Sequence, residues 1–168
     1  MALLITETVF KANTPLSAAV DWAIISPSIQ VAQDLGLMTI LGQKLYEKIE
    51  SDYIDDSLSG YYLTLYNNYI VRYLCYKGME TSLPDFWAKM AKGGIFRQGT
   101  ENSPSVEMNE LQYLIGVNRE RAQSYADRMI EYMLANLTEF PEYYTNVSGD
   151  VYPDSSRRKM RGININLY

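Results

Sequence analysis

The sequence contains no histidine and a single cysteine, Cys75. Without histidine there is no imidazole general base, no Ser–His or Cys–His nucleophile pair, and the commonest metal ligand is missing. One cysteine excludes an internal disulfide framework and any cysteine-based metal site. Cys75 lies among apolar residues in a helical stretch and reads as a core thiol. No run approaches the ~20 apolar residues that a membrane span requires. Met1 to Ile5 is too short, and lacks the basic flank, for a signal peptide. The chain is therefore expected to be made in the cytoplasm and to have no membrane partner, with Asn136-Leu137-Thr138 and Asn146-Val147-Ser148 chance matches to a glycosylation triplet. Asp52, Asp55 and Asp56 lack the Gly and terminal Glu of a calcium loop. The glycine-containing stretch Lys92 to Ser103 lacks the Gly-Lys-Ser/Thr ending of a phosphate loop. An enzyme would have to rest on those aspartates or on the glutamates late in the chain. A working carboxylate pair needs one member in an apolar pocket, and nothing in the sequence locates one. No enzymatic activity, cofactor or metal is expected.

What is present is tyrosine: 15 residues, against 4 phenylalanines, in 168. Tyr joins a large apolar ring to a polar tip and is enriched where proteins meet. The alternative is a core written in Tyr. Charge is uneven. From Val151 to Tyr168 four basic residues stand against one acid, +3, within a net charge of −5, leaving −8 on the remainder. An acidic body with a basic tail differs from a general nucleic-acid binder, which carries its basic face on the body. The length suits one domain able to bury a core.

Residues Met1 to Pro15 read as extended, because Asn13-Thr14-Pro15 disfavours helix. From Ser17, a plausible cap, Val20, Ile24, Ile25, Ile29, Ala32 and Leu35 repeat at helical spacing. Pro27 should kink or split this helix and Gly36 should end it. Thr39 could cap a helix from Ile40 to Ser51, followed by an acidic loop, Asp52 to Ser59. Leu58 to Met79, capped by Ser57, is the stretch around which the rest is organised. Leu58, Tyr62, Leu65, Tyr69, Tyr73 and Tyr76 form one apolar stripe, and Leu63, Tyr66, Ile70 and Leu74 form another, where a surface helix needs only one. Such a helix is buried on several sides. One stripe is expected to pack on this chain's Ile29, Leu45 and the Leu114–Met129 run. The other, drawn from Tyr61, Tyr66, Tyr69 and Tyr73, is expected to meet a neighbouring copy. Ser82 and Pro84 should start a shorter helix with Phe86, Trp87 and Met90 as its apolar face, broken by Gly93-Gly94 and followed by a loop or hairpin. Ser103-Pro104 is a strong helix start, and the stripe Leu111, Leu114, Ile115, Asn118, Ala122, Tyr125, Met129, Met133 and Leu137 carries a long helix to about Phe140. The charged residues beside it, including Arg119, Arg121 and Arg128, read as a solvated face. Ile163 to Leu167 alternates apolar and polar residues, the pattern of a strand with one buried face. It is either a tail with an adhesive end or an arm that adds to a partner's sheet or groove.

The expected fold is all-α: a compact helical bundle over residues 1–144 with a long C-terminal helix, and an extended C-terminal arm over 145–168. The arm's partner-binding residues are Tyr152, Arg157, Arg158, Lys159, Arg161, Ile163, Ile165, Leu167 and Tyr168. Its basic residues could meet acids on a neighbouring subunit or DNA phosphates.

The opening MALLITETVFKANTPLSAAVDW, the segment PSIQVAQ from Pro27 and the run LGQKLYEKI from Leu41 resemble phage head–tail connector (adaptor) proteins, in particular ring proteins of crAss-like phages of Bacteroides. The resemblance is clearest over residues 1–80. It implies a structural virion protein, a small helical subunit copied about twelve times into a closed homo-oligomeric ring. That ring would dock on the portal protein, continue the DNA channel without sequence-specific binding, and offer a platform to the adjacent tail or ring protein. By motif position it carries over only the arm, Tyr152 to Tyr168, and no catalytic residue. An acidic body suits a channel that must not grip DNA. Other virion assembly roles, such as a tail-completion factor or small terminase subunit, are the alternative, although a terminase subunit should carry a basic DNA-binding motif in its body.

Overall fold

A computed structural model describes residues 2–15, 21–93 and 108–153. Side chains of 87–93 lie outside that description. So do Ser17, the loop after Gly93, the Ser103-Pro104 helix start, and the arm from 154 onward, including Arg157, Arg158, Lys159, Arg161, Ile163, Ile165, Leu167 and Tyr168.

The described chain is all-α, with five helices and no strand among its described residues. Helix α1 is Glu7–Asn13, in a stretch expected to be extended. The Thr6 hydroxyl accepts from Val9 N, and Glu7 pairs with Lys11 across one turn, at 2.6 Å. These two local contacts start the helix that Asn13 and Pro15 only terminate.

Helix α2 spans residues 22–41: Trp22–Val31, a π-helical turn over Ala32–Leu37, and Met38–Leu41. Pro27 neither splits nor ends it. The carbonyl that loses its partner belongs to Ala23, which is exposed, so water can replace the missing bond. Gly36 is not the terminator. It sits inside the π turn, where the Tyr73 hydroxyl lies so close that a Cβ would collide with it. Termination falls at Gly42, whose φ of 76° lies in the left-handed region that glycine alone enters freely. Thr39 caps nothing: its hydroxyl donates back to the Gly36 carbonyl at 2.7 Å. By length and composition α2 would qualify as a membrane span. Of its residues Ile25, Ile29, Ala32, Leu37, Ile40 and Leu41 are buried in the core, while Val31 and Leu35 are exposed.

Helix α3 is Gln43–Ile54. Helix α4 runs over residues 60–93: Gly60–Leu65, a second π turn at Tyr66–Ile70, and Val71–Gly93. Ser57 does not cap it; Ser59 holds the N-cap position, and Ser57 folds back on Asp52. The expected break before Pro84 is absent. Contacts to α2 pin both sides of the proline: the Thr81 hydroxyl donates to the Ser28 carbonyl (3.0 Å), and the Ser28 hydroxyl donates to Asp85 (3.3 Å). Helix α5 is Met108–Ala135, followed by 3₁₀ turns at Leu137–Glu139 and Pro141–Tyr143 instead of continuing to Phe140.

Helix α4 is the centre. One side packs on α2 and α1, where Gly78 leaves room for Ile29 and Phe10, and the other packs along α5. Buried Gln33 ties the N-terminal segment to this core. Its carbonyl accepts from Leu4 N at 2.7 Å, and its amide donates to the Ala2 carbonyl and the Tyr46 hydroxyl, both at 3.1 Å. A buried amide left unpaired would be costly; this one has three partners. The Cys75 thiol is buried and pushed up to about 12 by that burial, the Arg72 charge offsetting only part of it. It is a packing group, not a nucleophile.

Candidate interaction surface

The tyrosines expected to face a neighbour are mostly engaged inside the chain. Tyr73 is 4% exposed and sits over Gly36. Tyr66 donates its hydroxyl to the Leu4 carbonyl (2.8 Å) and packs on Tyr53, with ring centres 5.4 Å apart. Burial, then the Tyr53 hydroxyl, raises its pKa. Tyr69 stacks on Tyr132 at 5.1 Å. Only Tyr61, at 44%, remains largely exposed, its inner edge against Phe140.

Between α4 and α5 the rings form a ladder. Tyr62 meets Phe140, Tyr69 meets Tyr132, and Tyr76 meets Tyr125. Tyr69 and Tyr76, seven positions or close to two helical turns apart, both face α5, whereas Tyr62, ahead of the π turn, meets Phe140 beyond the end of α5. The Tyr62 hydroxyl donates to Glu142 at 2.7 Å, and burial, then this carboxylate, raises its pKa.

On the opposite flank of α5 a small pocket of about 110 Å³ is lined by residues including Gly36, Tyr73, Lys77, Glu80, Arg119 and Gln123. Glu80 accepts from Lys77 Nζ (2.8 Å) and Arg119 Nε (2.9 Å). Burial alone would raise its pKa, but hydrogen bonds and charge from Lys77 and Arg119 hold it below the ordinary value. Leu35, on the rim, is 73% exposed. The triad ties α4 to α5.

The start of the expected arm is docked on the body. The Val151 carbonyl accepts from Gln43 N (2.8 Å), Val151 N donates to the Gln43 side chain (3.2 Å), and the Asn146 side-chain oxygen accepts from Lys44 N (3.2 Å). These satisfy first-turn N–H groups of α3, which Gly42 has no side chain to cap. Asp150 adds its charge near Lys44, at 3.8 Å, and Pro153 lies against Gly42. Tyr144, Val147 and Tyr152 stay exposed on this segment. The boundary expected after residue 144 is thus not where the chain leaves the body; residues 146–153 belong to it structurally.

Arg121 and Arg128, expected on a solvated face, each have a ring beneath them. Arg121 lies over the Tyr76 ring and Arg128 over the Tyr125 ring, each 5.6 Å from the ring centre. The spacing Arg121, Tyr125, Arg128 on one helix face carried the signal.

The described polar groups mostly hold the helices of a small all-α protein together, and several large apolar side chains, among them Leu35, Ile54, Tyr144 and Tyr152, stay exposed. The chain belongs to a family of unknown function, DUF6712, whose profile matches residues 37–152. That match takes in both the α3 cap and the segment that supplies it. No curated protein and no solved structure matches the chain.

Proposed function

We propose that the protein is a structural virion component, a subunit of a head–tail connector ring that docks on the portal, continues the DNA channel and joins the capsid to the tail. The observation that carries the reading is the tether of residues 146–151 to the first turn of α3. It gives the basic, strand-patterned sequence beyond Pro153 a fixed point of departure from the body. An arm so anchored transmits load between subunits, whereas a tail hung on a free linker would not. The interlocked core supports the same role: Gln33, the Glu80 triad and the tyrosine ladder join every layer to the next. The resemblance of residues 1–80 to connector proteins supplies the location.

The test is removal of Ile163 to Tyr168 from the phage-borne protein. Attachment of the ring to the portal should fail while the truncated chain still folds, as judged by its helical circular dichroism. Unimpaired attachment would refute the arm's anchoring role.

A further inference from the structure

Basic side chains in this molecule divide into two groups. Lys11, Lys44, Lys48, Lys77 and Arg119 each pair with a carboxylate. Arg72, Arg121 and Arg128 make no ion pair among the described residues, and all three are exposed. They are not scattered. Arg121, Tyr76, Tyr125 and Arg128 stack in that order, the two rings 5.7 Å apart and 20° from parallel, with one guanidinium on each outer face. Arg72 precedes Tyr76 by one helical turn, on the same side of α4. Stacking on a ring orients a guanidinium while its edge donors stay open to a planar carboxylate. Arg and Tyr are also the residues in which interface energy concentrates.

The complementary chemistry is on the same molecule. The turn after α3 exposes Ile54 (62%) beside Asp55 and Asp56, neither of which makes an ion pair among the described residues. It offers an apolar anchor and two carboxylates, the counterpart of two rings and their guanidinia. A head-to-tail assembly needs two unlike, complementary surfaces on one chain.

We infer that the Arg121–Tyr76–Tyr125–Arg128 stack, with Arg72, is a docking site for the Ile54–Asp56 turn of a second copy of this chain. The inference rests on the ring reading for its occupant and adds the two surfaces that meet. A duplex nucleic acid is the competing occupant. It is disfavoured because three arginines make a short track for phosphates, and because an isoleucine-bearing acidic turn fits the rings as well as the charges.

The experiment is a charge exchange on the full chain. Variant one carries Arg121→Glu and Arg128→Glu; variant two carries Asp55→Lys and Asp56→Asn, the Asn chosen because Asp56 has a φ of 51°. Self-association is measured by sedimentation at low salt up to millimolar chain. Each variant alone should associate about tenfold more weakly than wild type or worse, and their mixture should associate more strongly than either alone. Unchanged thermal melts confirm that both fold. Three results would overturn the inference: wild type that stays monomeric throughout, variants that associate like wild type, or an Arg variant that loses only retention on duplex DNA. None of these bears on whether the chain is present in virions, which tests the ring reading separately.

Discussion

Gly42 and Gly116 show how differently one residue type can act at two positions. Gly42 has φ 76°, and a Cβ there would come within 2.8 Å of the Pro153 ring. Gly116 lies inside α5, and a Cβ there would meet nothing within 4 Å. Gly42→Ala should therefore lower unfolding free energy by about 1–3 kcal/mol, whereas Gly116→Ala should raise it by about 0.5–1 kcal/mol. Urea melts of both would check the contrast; equal effects would contradict the reading of Gly42 as a clasp. Glu80 gives a pH prediction. Because its folded pKa is lowered, its pairing stabilises fully above the ordinary carboxylate range and is lost as pH falls through the folded value. Glu80→Gln should thus flatten the loss of stability below about pH 5 relative to wild type. Parallel acid limbs in the two proteins would argue against it. Neither residue's role was legible in the sequence, since the partners, Pro153 and Arg119, lie far along the chain.

Helices were legible as a class, and their ends were not. Periodicity reveals which residues want burial, and Ile29, Leu45, Ala122, Met129 and Met133 do lie in the core. Prolines and glycines read as local punctuation, but tertiary contacts override Gly36 and Pro84, and exposure of the Ala23 carbonyl lets α2 run through Pro27. The doubled stripe on α4 has a physical origin in the π turn at Tyr66–Ile70. One extra residue rotates the later turns of the helix by about 100°, which spreads buried positions around it. On a continuous helical wheel that spread looks like a surplus face for a neighbour. The surplus is largely absorbed by the ladder with α5. Phe140, fully buried between Tyr61, Tyr62 and Tyr132, closes one end of it. Phe140→Ala should cost about 3–5 kcal/mol. Asn146→Ala, which removes one acceptor from the first turn of α3, should cost about 1 kcal/mol. Thermal unfolding separates the two by size, and an Asn146 effect as large as that of Phe140 would mean the segment is core, not cap.

At the scale of the whole molecule, an interlocked helical body clasps residues 146–151 to the start of α3, and among its described residues it carries three exposed arginines without an ion pair and, elsewhere, an exposed acidic turn. Composition foreshadowed part of this, through the excess of tyrosine and the split in charge. It could not tell which rings turn inward, because that depends on α4 and α5 being antiparallel neighbours. The connector reading is tested most directly by an electron cryomicroscopy reconstruction of the portal vertex in virions containing this chain. The predicted result is a closed ring of this protein against the portal, with residues beyond Pro153 in contact with another chain. Virions that lack the protein, or that carry it away from the head–tail junction, would contradict it.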